Sequence, residues 1–147
     1  MVLLTGFLLV LMDIFTTTLA YKLQSESTSA LNQDSRYILS KLNYEIYNAD
    51  SVTTPGSLGT QTNSLQIVRS GVISTYAISN GDLVLTQGGT SMKLNGGDTS
   101  IDTATFRRLG NVGGKPTVQI NLTLRSRITV QGGITKTQSM LTTLGLR

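Results

Sequence analysis

The sequence predicts an α+β chain in which one long N-terminal helix, membrane-like in its first half and amphipathic in its second, packs on a small antiparallel β-sheet. Three observations carry that prediction. From Val2 to Ala20 the only charged residue is Asp13. From Leu23 to Val52 there is no proline or glycine, and apolar residues return every three or four positions. From about Ser57 onward the period drops to two, with glycine-containing turns between the alternating runs.

Residues 1–22 form the first zone. Nineteen residues from Val2 to Ala20 cross a hydrocarbon core of roughly 30 Å at about 1.5 Å per helical residue. Their eleven Leu, Val, Ile and Phe side chains favour insertion by roughly 3–7 kcal/mol, and a central aspartate offsets about 2.5–3.5 kcal/mol of that. The hold on a bilayer is therefore moderate. No Lys or Arg precedes the apolar run, and "TTTLAYKLQSES" lacks the small-residue pattern of a cleavage site, so the segment reads as a retained part of the working protein.

Residues 23–52 continue the same helix. Leu31, Ile38, Leu42 and Ile46 fall on one stripe, with Leu39 and Ala49 beside it, and form the expected helix–sheet core. Ser35, Lys41, Asn43 and Glu45 are expected mostly off that stripe. Asn48, Asp50 and "TTPGSLG" end the helix, because the residue before Pro55 is pushed out of the α region.

Residues 57–147 form the β domain. "SLQIV" alternates, and "GVISTYAISNGDLVLT" reads as two strands joined by Asn80-Gly81, a pair suited to a type I′ turn because both residues need positive φ. "TVQINLTL" places Val118, Ile120, Leu122 and Leu124 on one face and Gln119, Asn121 and Thr123 on the other. A further hairpin turns at Gly132-Gly133. The stretch between, "TSMKLNGGDTSIDTATFRRLGNVGGKP", reads as a turn-rich connection with one short strand around Ala104 to Arg107. One sheet with a solvated face results, laid on the second half of the helix.

Composition narrows the function. The chain has no Cys, His or Trp, which excludes disulfides, thiol chemistry, Cys/His metal sites and imidazole general-base catalysis. No Ser/Lys or paired-carboxylate arrangement points to an enzyme, and no cofactor is implied. The net charge of +4 is spread thinly, with no cationic run longer than Arg107-Arg108, so a solvated surface is a better account of it than a nucleic-acid site. "NGGDTSID" offers Asn95, Asp98 and Asp102 as calcium candidates, although turn chemistry selects the same residue types. Asn121-Leu122-Thr123 matches a glycosylation sequon but lies mid-strand. Ser25 to Ser29 read as a polar collar where the helix leaves the membrane.

The architecture, and "LNQDSRYILSKLNYEIYNADSVTTPG" with "GDLVLTQGG", "TATFRRL" and a final strand ending in "LGLR", resembles the type IV pilin and pseudopilin superfamily, in its prepilin-like and minor-pseudopilin-like subgroup. The resemblance is strongest from Leu31 to Gly56. It implies a pilin-like fold and a homo-oligomeric helical filament. The subunit would be held in the cytoplasmic membrane until assembly machinery moves it to the cell surface, after cleavage by a prepilin peptidase. Such filaments serve adhesion, motility, DNA uptake or secretion, and the sequence does not choose among them.

It also places an assembly surface on Met1, Thr5, Phe7, Leu8, Leu11, Asp13 and Phe15. Family members carry glutamate at the fifth position of the mature chain. Here that place is Thr5, or Phe7 if the hydrophobic pattern is slid, so Asp13 is the candidate replacement in setting subunit register, and Met1 is read as the mature first residue. The helix proline near the twentieth residue is also missing, which leaves Thr16 to Thr18 as the expected soft point. A major pilin is favoured. A minor subunit that primes or caps a filament, a monomeric membrane-anchored β-module and a membrane-spanning viral coat subunit are the alternatives.

Overall fold

A computed structural model describes residues 2–129 and 133–147. Met1, and Gly132 of the expected Gly132-Gly133 turn, lie outside the described residues. The fold is α+β: one long helix packed against two antiparallel sheets.

Helix α1 runs Val2–Tyr47 without a break. It stops five residues short of the expected Val52. The Asn48 amide caps the last turn by donating to Tyr44 O at 2.8 Å. The β-branched run that follows pairs as strand β1, Ser51–Thr54, instead of continuing the helix. The expected stripe is the buried one: Ile38, Leu42 and Ile46 are fully covered, and Leu31 and Ala49 nearly so. Two residues expected off the stripe are buried with it, Ser35 and Glu45. They sit at the intervening three- and four-residue steps, so helix geometry puts them on the packed face whatever their polarity.

The single expected sheet is in fact two. The first contains β1, β3 (Ser64–Arg69), β4 (Val72–Ser79), β5 (Asp82–Gln87) and β6 (Thr90–Lys93), in the order β1-β3-β4-β5-β6. The second contains β2 (Gln61–Thr62), β7 (Thr99–Leu109), β8 (Thr117–Thr129) and β9 (Thr135–Gly145), in the order β2-β7-β8-β9. The break falls at "LNGGD", where the chain leaves β6 and crosses to β7. Leu94 N, donating to Leu83 O, extends the β5–β6 pairing by one residue, and Ile101 N of β7, donating to Gly81 O in the β4–β5 turn, stitches the two sheets, both at 2.8 Å.

The Asn80-Gly81 turn has φ of 52° and 76°, as its type requires, and Ser70-Gly71 makes an equivalent turn with φ of 49° and 78°. The expected short strand at Ala104–Arg107 is the centre of the much longer β7, which pairs with β8 from end to end. β6 is a further strand inside the stretch read as a connection.

One core joins all three layers. Leu65, Ile67, Tyr76, Leu83 and Leu85 come from the first sheet. Phe106, Val118, Ile120, Leu122 and Leu124 come from the second, and the helix stripe lies mainly along β8 and β9. Truncating the stripe leaves a cavity as well as losing buried area. Ile38→Ala is expected to cost about 2–5 kcal/mol, Ile38→Val about 0.5–1.5 kcal/mol, and exposed Asn43→Ala close to nothing. Thermal unfolding of the detergent-solubilised chain, followed by far-UV circular dichroism, gives the order of the three.

Candidate functional site

The feature that the fold leaves unexplained is the first half of α1. An 18-residue window of this helix has mean hydropathy 1.6, and none of it is buried inside the fold. By length and composition it is able to cross a membrane. Leu4, Phe7, Leu8, Leu9, Val10, Leu11, Met12, Ile14, Phe15 and Leu19 are all exposed, from 45% at Leu11 to 69% at Phe15. Because neighbours one and four apart are equally bare, the surface is apolar all round and not a single stripe. Of the candidate assembly residues, Thr5, Phe7, Leu8, Leu11, Asp13 and Phe15 lie on this surface, spread around the helix. Met1 lies outside the described residues.

Asp13 is the polar exception. Its backbone carbonyl accepts the Thr16 hydroxyl at 3.0 Å, and no described residue donates to its carboxylate. Lys22, the nearest cation in sequence, pairs with Glu26 at 3.7 Å instead. The Thr18 hydroxyl donates to Ile14 O at 2.7 Å. These back-bonds hide both threonine hydroxyls inside the helix, which lowers the cost of placing them in an apolar medium. The helix stays continuous through the expected soft point.

Polar ties hold the second half of the helix to the sheets. Asp34 Oδ2 accepts Gly96 N at 2.8 Å and also the Thr99 hydroxyl, fixing the β6–β7 crossing. Glu45, almost fully buried, receives Lys41 Nζ at 2.8 Å on one oxygen. Its other oxygen lies 3.0 Å from Arg69 Nη1 of β3, an ion pair without hydrogen-bond alignment. The Arg69 guanidinium also sits 5.5 Å above the Tyr44 ring. Beside them the buried Tyr76 phenol has no hydrogen-bond partner. Burial, with the Glu45 charge adding to it and Arg69 opposing, pushes its pKa well above the usual tyrosine value.

Two of the three calcium candidates, Asn95 and Asp102, have their side chains engaged elsewhere. Asn95 is buried, donating from Nδ2 to Asp82 Oδ1 and Thr99 O, each at 3.0 Å, and accepting Leu83 N at 2.9 Å. Asp102 pairs with Arg125 at 2.6 Å. Asp98 is exposed, and its carbonyl accepts Arg127 N at 2.7 Å. Among the described residues no group of three His, Cys, Asp or Glu side chains is placed to hold a metal ion. Arg107 and Arg108, considered for DNA, are used internally: Arg107 Nε donates to Gly59 O, and Arg108 Nη1 donates to the carbonyls of Val52, Pro55 and Gly56. Asn121 is exposed mid-strand on β8. Ser27 and Thr28 of the polar collar face the sheet: Ser27 is fully buried, and Thr28 Oγ1 accepts Lys136 Nζ at 2.9 Å.

Asp82 was not singled out in the sequence, yet it is the hub of the inter-sheet joint. Its carboxylate takes Lys93 at 2.5 Å and Arg127 at 2.8 Å in addition to Asn95. Lys93 first, then Asn95, hold its pKa below the ordinary aspartate value, against the effect of burial. A carboxylate whose folded pKa is depressed contributes stability above its unfolded pKa, about 3.9, and loses it as pH falls through the folded value. Asp82→Asn is therefore expected to lower the melting temperature at pH 7, with the gap to the parent closing below about pH 4. Melting curves of both proteins between pH 7 and pH 2.5 measure it.

No protein-family model matches this chain, and no match is found among curated proteins or solved structures. The fold and its exposed apolar helix are compatible with a membrane-anchored α/β subunit.

Proposed function

We propose that this chain is the structural subunit of a type IV pilus-like extracellular filament, a major pilin, held in the cytoplasmic membrane by α1 before assembly. The observation that carries the reading is the pairing of two surfaces on one unbroken helix. Residues from Leu4 to Leu19 are bare and apolar all round, whereas Leu31 to Ala49 are covered by the sheets. An all-round apolar helix needs an all-round apolar environment, which a bilayer supplies before assembly and a bundle of like helices supplies afterwards. The β domain then tiles the outside of the bundle.

Within this reading Asp13 sets the register between subunits. A carboxylate in a packed apolar bundle must be paired or hydrogen-bonded, and no described residue of its own chain donates to it. Its partner comes from a neighbouring copy: a terminal amine or a threonine hydroxyl. Processing by a prepilin peptidase and transfer by an assembly machine belong to the same reading. Thr5, standing where the family's glutamate is usual, favours one alternative, a minor subunit that caps or primes the filament.

Sheared surface material from cells producing the chain, examined by electron microscopy, tests both parts. The parent is expected to give abundant thin filaments, and Asp13→Ala at equal membrane abundance to give at least tenfold fewer. Undiminished filaments from Asp13→Ala would remove the role of Asp13. Only membrane-bound monomer from the parent would remove the filament.

A further inference from the structure

Resting on the reading that puts the first half of α1 in a bilayer or a bundle of like helices, so that all copies stand the same way up, we propose that the open edge of β9 on one copy pairs with the open edge of β6 on the next. The second sheet of one subunit then continues into the first sheet of its neighbour.

Both strands end their sheets: among the described residues no strand lies on the far side of either. Every other residue of such a strand aims its N–H and C=O away from the paired neighbour, which makes the edge a template for another strand. β9 has eleven residues, about 35 Å of edge, and few of the features that keep edges apart. It has no proline, and its one charged residue, Lys136, turns its ammonium onto its own helix at Thr28. All four residues of β6 are exposed. Its one charge, Lys93, is drawn back onto Asp82 of the same sheet. Each edge also holds one large apolar side chain out in water, Leu141 at 67% exposure and Met92 at 51%.

Direction selects the partner. β9 runs the same way as α1, since Lys136 meets Thr28 and Arg147 N donates to Tyr47 O. β6 runs the other way. Its first residue, Thr90, pairs with Gln87, and Gln87 with Ser74, beside the Arg69-Val72 pair that reaches Glu45 high on the helix. Its last residue, Lys93, is joined through Asp82 to Arg127 near the low end of β8. In copies standing alike, β9 and β6 are therefore antiparallel, as is every strand pair inside both sheets. Two β9 edges would be parallel. β6 covers about 13 Å of β9, so about 20 Å of axial offset between neighbours can be accommodated. Such a contact joins two different surfaces, and repeats from copy to copy without closing.

The chain contains no cysteine, so disulfides form only where cysteines are introduced. Two differently tagged forms of the full chain are produced together. One carries Ser91→Cys or Met92→Cys on β6, and the other a single cysteine at one position from Thr137 to Thr143 on β9. Membranes and sheared surface material are oxidised with copper phenanthroline. Val112→Cys, at a residue 96% exposed in the β7–β8 turn, measures chance collision. Opposed residues on neighbouring strands have Cβ atoms about 4.5–5.5 Å apart, close to disulfide reach. Mixed dimers are expected at least fivefold above the Val112→Cys level. Because side chains alternate between faces, yield is expected to vary with a period of two along β9, in opposite phase for Ser91→Cys and Met92→Cys. The series stays readable if any one variant fails to accumulate. Each form produced alone is expected to stay at the Val112→Cys level.

Mixed yields at the Val112→Cys level in both fractions, or yields without the two-residue period, overturn the pairing; abundant filaments in the same cells would leave the filament standing without it. Dimers of β9 cysteines alone mean a two-fold contact, which also overturns it. Periodic mixed dimers in membranes that release no filaments support the pairing and remove the filament.

Discussion

The seam between the Leu31–Ala49 stripe and the inner face of β8 is the contact on which the rest of the chain depends. A bare helix of this length has no reason to stay in one piece beside two small sheets. Ile38, Leu42 and Ile46 lose all their solvent exposure at that seam, as do Val118, Ile120, Leu122 and Leu124 opposite them. Full burial of one such side chain stabilises by about 1.5–3 kcal/mol, whereas one exposed ion pair contributes about 0–1 kcal/mol. The apolar contact therefore decides whether the β domain is attached. The polar contacts decide in which orientation.

Those polar contacts lie on both sides of the seam. Asp34 ties the helix to the β6–β7 crossing, Glu45 ties it to β3 through Arg69, and Lys136 ties β9 back to Thr28. At the top Arg147 covers Tyr47, its backbone bonding the helix carbonyl and its guanidinium 6.0 Å from the ring. A cation at a helix C-terminus also meets the negative end of the helix dipole. Four ties at different heights resist rotation of the helix about its own axis, which a smooth apolar seam would resist poorly. Whatever environment takes the lower half of α1, the upper half meets the sheets in one fixed orientation.

Much of this was legible in the sequence because periodicity reports burial. The stripe at three- and four-residue steps and the alternation of Val118 to Leu124 translate directly into core positions. The Asn80-Gly81 turn was legible because few residue pairs accept positive φ. Ser35 and Glu45 were misplaced because polarity argues for solvent, while the cation that meets Glu45 from the sheet, Arg69, lies 24 residues away in sequence on another element. The division into two sheets was hidden for a related reason. Glycines at 96 and 97 mark a break, but not whether the next strand rejoins the old sheet or starts a new one. Asn95 illustrates the limit most sharply. An amide in a glycine-rich loop looks like turn or ligand chemistry until Asp82, thirteen residues earlier, is seen to accept from it.

The apolar half of α1 raises a question of direction that energetics can answer. Lipid tails are as apolar as leucine, so moving Phe7, Leu8, Leu11 and Phe15 from a bilayer into a bundle of like helices gains little from the hydrophobic effect itself. What differs between the two environments is the treatment of polar groups. Thr16 and Thr18 are neutral in that comparison, since their hydroxyls are already satisfied by their own helix. Asp13 is not neutral: its carboxylate takes no bond from the described residues, and a hydrocarbon layer offers none. On the filament reading, a neighbour that supplies one donor gives the largest single difference between membrane and polymer. One acid in an otherwise greasy helix then makes residence in the membrane costly and packing against another copy specific, without weakening the apolar surface that keeps both states dry.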